Sequence, residues 1–190
     1  MNVQSVVAAS AARTRTAIDG IARFAKLERV LAGLCALTPA LLILADDGNV
    51  RGSISAYHSV CRPEAYYMPL TAAAMLFLVN GVVKDGQLYN VFLGLALGGL
   101  VFFNTSDFTP IHVAFAAAFF AGNVAVMALW TSVKGWRVRG PLIAVIVVAM
   151  VLWFGFKKLT LFGAEWISLG IIATHFIVES VVDGEGEGAA

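Results

Sequence analysis

The sequence predicts an all-α polytopic membrane protein: an up-and-down bundle of six transmembrane helices with an N-terminal interfacial amphipathic helix. Three observations carry that expectation. Hydrophobic residues make up 59% of the chain and charged residues 13%, with a mean hydropathy of +0.83. A soluble domain is about 45–50% apolar and about 25% charged, so water would solvate this chain poorly. The apolar residues fall into six long blocks, and short breaks rich in turn residues separate them.

The elements follow in chain order. Residues 1–27 form a charged leader. Within residues 5–26, Ile18, Ile21, Ala22 and Ala25 share one helical face, and Arg15, Asp19, Arg23 and Lys26 share another. That pattern predicts a helix lying on the membrane, its basic face toward anionic headgroups. The leader is too long for the n-region of a signal peptide, so the first apolar block reads as a retained helix.

The six blocks are Val30–Ala45, Tyr66–Val83, Leu88–Phe103, Ile111–Trp130, Pro141–Phe156 and Glu165–Val182. Each is about 16–20 residues long, against the roughly 17–25 that cross a bilayer. Tyr66, Tyr67, Trp130, Trp136, Trp153 and Trp166 mostly sit near block ends, where amphipathic rings favour the interface. The breaks include Lys84-Asp85-Gly86, Asn104 to Asp107 and Lys134 to Gly140. Pro110 opens the fourth helix, where its missing N–H costs nothing. Short links imply antiparallel neighbours. Residues 28–182 are thus the transmembrane domain, and residues 183–190 an acidic disordered tail.

Charge placement orients the bundle. Of the 13 Lys and Arg residues, nine fall on the side of the N-terminus: Arg13, Arg15, Arg23, Lys26, Arg29, Lys84, Lys134, Arg137 and Arg139. The other four, Arg51, Arg62, Lys157 and Lys158, fall on the opposite side. The positive-inside rule then places both termini in the cytoplasm, with the protein in a cytoplasmic (inner) membrane. With a net charge of +1 the chain shows no sign of a nucleic-acid partner. Membrane lipid is the expected partner. Gly94-x-x-x-Gly98 lets another helix approach closely, either within the bundle or in self-association or contact with another membrane subunit. Cys35 and Cys61 lie at different depths and read as unpaired thiols.

Polar residues inside apolar blocks are the candidate functional groups, because an ionisable side chain in a span usually faces the bundle interior. Glu165, Ser168, Ile172, His175 and Glu179 recur at helical spacing and form one stripe on the sixth helix. His112 and Asn123 mark a similar face on the fourth. Two clusters follow. The outer one holds Ser53, Ser55, Tyr57, His58, Asp107, His112 and Glu165. The inner one holds Asn80, Lys84, Asn90, His175 and Glu179. The outer set includes residue types that bind zinc, but no HExxH or HxxxH spacing assigns a metal, and no cofactor is identified. GxGxxG, P-loop and GxSxG motifs are absent from the sequence.

Ile54-Ser-Ala-Tyr-His58, Phe102-Phe-Asn-Thr105, Ile111 to Ala116 with Phe119-Phe120, and Glu165 resemble motifs of a domain-of-unknown-function family. Its members are small bacterial multi-pass membrane proteins with an ISAYYH-like segment, and here Tyr-His stands where Tyr-Tyr is usual. The resemblance runs over about residues 28–180 and implies a six-helix bundle without a known activity. Much more distantly, the chain is similar to the alkaline ceramidase and adiponectin-receptor superfamily of zinc hydrolases. It lacks their paired histidines on the last helix and one of their seven spans, so the activity does not transfer. Three functions fit the residues. The first is an accessory or structural subunit or lipid-associated scaffold. The second is a metal-dependent intramembrane hydrolase using the outer cluster. The third is a small transporter or permease using the stripe on the sixth helix.

Overall fold

The computed structural model describes residues 25–83, 87–131 and 135–187. The predicted surface helix of residues 5–26 falls almost wholly outside the described residues, and Lys84 and Lys134 lie outside them too. The described residues form six α-helices: α1 Ala25–Ala45, α2 Pro63–Val83, α3 Leu88–Phe102, α4 Thr105–Leu129, α5 Trp136–Phe154 and α6 Leu161–Glu187. A single 3-10 turn, Ser55–Ser59, lies in the loop between α1 and α2.

Five of the six helices start before their apolar blocks do, and in α1, α2, α4 and α5 the added first turn carries polar or charged residues. Pro63 occupies the first position of α2, and Glu64 places a negative charge in its first turn, where the helix dipole favours it. Asn104 caps α4: its Oδ1 accepts the Asp107 N–H at 2.9 Å. Non-helical angles at Phe108 then kink α4, and the regular helix restarts with Pro110 in its first turn. Thr160 caps α6 by accepting the Gly163 N–H at 3.1 Å. At the other end α6 runs on to Glu187, so the backbone of residues 183–187 is helical rather than a disordered tail. An established helix propagates at little cost per residue.

Five of the six helices are long and apolar enough to cross a membrane. The exception is α3, with 15 residues; at 1.5 Å per residue it spans about 22 Å, less than the ~30 Å of a hydrocarbon core. The outward surface is apolar, with Leu44, Met68, Leu88, Phe102 and Phe154 largely exposed. Such a surface suits a lipid solvent.

The helices close into a ring. Helix α1 packs against α2 and α6, α2 against α3, α3 against α4, and α5 against α6. The closing seam, between α4 and α5, is the loosest. Gly94 lets α3 press onto α2: a Cβ there would meet the Ala74 carbonyl oxygen at 2.8 Å and the Leu78 nitrogen at 2.9 Å. Gly94 is therefore buried within the bundle, whereas Gly98 faces open space. The two do not share a free face. The core between the ends is aromatic. Phe77 meets Phe119 and Phe176 with ring centroids 5.6 and 5.3 Å apart.

Candidate functional site

The loop from Asp46 to Arg62 caps one end of the bundle. Tyr57 is fully buried beneath it. Its hydroxyl donates to the Asn49 carbonyl at 2.7 Å and accepts the Arg51 N–H at 3.1 Å. Arg51 in turn grips Asp46 with two nitrogens, Nε to Oδ2 at 2.5 Å and Nη2 to Oδ1 at 3.0 Å. That hydrogen bonding holds the Asp46 carboxyl below its ordinary pKa and raises that of Arg51. Cys61 tucks under the loop, with its Sγ 3.7 Å from the Leu42 carbonyl, and burial pushes its thiol pKa up. Two bonds tie the cap to the start of α6: Phe162 N–H to the Gly52 carbonyl at 2.9 Å, and Ile54 N–H to Glu165 Oε2 at 2.6 Å.

Beneath the cap, in the loose seam between α4 and α5, lies a cavity of about 730 Å³. Ligand pockets run about 300–1,000 Å³. Its walls are apolar over most of their length, formed by Ala117, Phe120 and Val124 of α4 and by Ile146, Met150 and Trp153 of α5. Its polar lining residues are Ser53, Ser55, Thr105, His112 and Glu165, all from the capped end of the bundle. Ser53 and Ser55 share a hydrogen bond of 3.0 Å. His112 Nδ1 lies 2.7 Å from the Phe103 carbonyl. A carbonyl only accepts, so Nδ1 carries a proton and, in the neutral imidazole, Nε2 is left as an acceptor.

Of the expected outer cluster, the structure brings Ser53, Ser55, His112 and Glu165 to one cavity. It places Tyr57, His58 and Asp107 elsewhere. Tyr57 bonds the cap's own backbone. His58 packs edge-on against Tyr66 and Tyr67. Asp107 is exposed, and its Oδ2 accepts from Asn104 Nδ2 at 3.0 Å within the α4 cap. Loop polar residues satisfy nearby backbone groups first, and sequence alone does not show which of them are so engaged. Among the described residues, no three His, Cys, Asp or Glu side chains are grouped to hold a metal ion.

The opposite end holds the second polar group. The α6 stripe is buried throughout: Glu165, Ser168, Ile172, His175 and Glu179 all face inward. His175 Nε2 lies 2.8 Å from Thr131 Oγ1, which donates to Glu179 Oε1 at 3.1 Å. Across the bundle, Asn90 Nδ2 donates to Asn80 Oδ1 at 3.1 Å, and Asn80 Nδ2 reaches Glu28 Oε1 at 3.5 Å. Asn80, Asn90, His175 and Glu179 thus occupy the expected end in two linked sets. Glu28 and Thr131 complete them. Neither was visible as a partner in sequence, since Glu28 falls just ahead of the first apolar block and Thr131 just after the fourth. Aromatic contacts fill the space between the two ends, running from Phe120 on the cavity wall through Phe119, Phe77 and Phe176 to His175.

The model of a family of unknown function, DUF7103, matches residues 37–180. The chain belongs to that family. The matched span runs from the middle of α1 to Ser180 and contains the whole cap and every residue that lines the cavity. No curated protein and no solved structure matches the chain.

Proposed function

We propose that this member of DUF7103 is a lipid-associated membrane subunit that takes the chain of one amphiphile into the α4–α5 seam. The observation that carries this reading is the cavity's asymmetry. A long apolar trough suits a hydrocarbon chain, and the hydroxyl, imidazole and carboxyl groups at one end suit a polar head. The trough lies where two helices meet most loosely, which gives a chain a route from the surrounding lipid. Burying apolar surface is worth about 25 cal/mol per Å², so the apolar wall supplies affinity and the polar end orientation.

The protein sits in a membrane with the capped end outward and both termini in the cytoplasm. The nine-to-four division of Lys and Arg supports this orientation. Purification in mild detergent, followed by lipid extraction and mass spectrometry, tests the reading. It expects an amphiphile retained at close to one per chain. Protein that retains none, and takes none up from mixed vesicles, would refute it.

A further inference from the structure

We infer that the head group recognised at the capped end is uncharged and donates hydrogen bonds, as the glycerol of a single-chain monoacylglycerol does. The inference rests on the cavity reading above and specifies its ligand. No Lys or Arg lines the cavity. Lys157 and Lys158 follow α5 nearby but are exposed to the outside and lie off the wall.

What the wall offers is acceptors. His112 spends its proton on the Phe103 carbonyl, so Nε2 accepts. Glu165 uses Oε2 on the Ile54 amide, and the carboxyl group remains the one acidic side chain on the wall. Ser53, Ser55 and Thr105 add hydroxyls that both donate and accept. A vicinal diol matches this set: its O–H groups donate to the imidazole and the carboxyl, and its oxygens accept from the hydroxyls.

A phosphate head would enter beside a carboxyl group with no cation to offset it, a costly burial. An ammonium head would gain Glu165. It would, however, bury a strongly hydrated charge in a mostly apolar trough. A single chain suits a cavity of about 730 Å³ whose polar side chains gather at one end.

Trp153 on the cavity wall supplies the readout. The full chain is placed in nanodiscs and titrated with a monoacylglycerol whose chain carries two bromines. The quenching assigned to Trp153 is the part lost in Trp153→Phe. Two probes with the same brominated chain, a lysophosphatidic acid and a primary amine, are run alongside. The expected result is saturable quenching by the monoacylglycerol at concentrations about tenfold below either charged probe. His112→Phe, which removes the acceptor, is expected to weaken the monoacylglycerol about tenfold and leave the amine less affected. Ser55→Ala gives an independent, milder loss if the histidine variant does not fold.

Equal or tighter binding of a charged probe overturns the head-group inference and leaves the cavity reading standing. If no probe quenches Trp153, both fall.

Discussion

Glu165 ties the cap to the bundle and also faces the cavity. Its Oε2 accepts the N–H of the buried Ile54. Glu165→Ala strands that donor, and an unsatisfied buried N–H costs about 1–3 kcal/mol. Glu165→Gln keeps an acceptor at the same position. The melting temperature in one detergent is therefore expected to fall clearly for the alanine variant and little for the glutamine variant. An alanine variant that melts like wild type would show that the bond does not hold the cap. Asp46 gives a pH signature at the same end. The Arg51 hydrogen bond lowers its folded pKa below the unfolded value of about 3.9. A depressed carboxyl pKa stabilises fully above the unfolded value, and the benefit is lost as pH falls through the folded one. The melting difference between wild type and Asp46→Asn is thus expected to hold steady from pH 7 to about 5 and to close toward about pH 3. A difference that stayed constant down to pH 3 would contradict that role.

Two helices carry predictions that their lengths and faces dictate. Any side chain at Gly94 meets the backbone of α2 at under 3 Å, and backbone cannot rotate away. Gly94→Ala is expected to destabilise by about 1–3 kcal/mol, the usual cost of overpacking. Gly98→Ala meets nothing within 4 Å and is expected to be neutral or slightly stabilising, since alanine favours helix. Thermal melts of the pair check this, and equal effects would reject the packing account. With only 15 residues, α3 adds a dependence on bilayer thickness. The protein is expected to melt higher in short-chain than in long-chain lipid bilayers, and the reverse order would show that α3 is not the strained span. These cases also show what sequence can and cannot reveal. The stripe on α6 was legible because burial follows the 3.6-residue period, and Glu165, His175 and Glu179 obey it. Gly94 was legible as a close approach, but its partner helix was not, since spacing carries no information about the neighbour. Tyr57, His58 and Asp107 looked like ligands because their side chains are polar. Their local partners depend on loop geometry that no periodicity encodes.

At the scale of the whole molecule, the six described helices close a ring whose weakest joint coincides with a hollow of about 730 Å³. The ring was readable from six apolar blocks, although one proved shorter than a membrane is thick. The hollow was not readable, because Ala117, Phe120 and Val124 are the same residue types that face lipid elsewhere. This difference permits a test that separates binding from folding. Ala117 lies on the cavity wall and is exposed. Ala117→Phe therefore adds a ring to empty space, and the native fold has no reason to lose stability. A ligand that binds only the folded protein raises its stability by RT ln(1 + [L]/Kd), about 2.7 kcal/mol at a hundredfold excess over Kd. Wild type is accordingly expected to melt progressively higher as monoacylglycerol is added. The phenylalanine variant is expected to start at or above the ligand-free wild-type value and stay there. The flat response is the decisive part: a general detergent-like effect of the amphiphile would move both proteins alike. A variant that still climbed with added ligand would place the binding surface outside the seam.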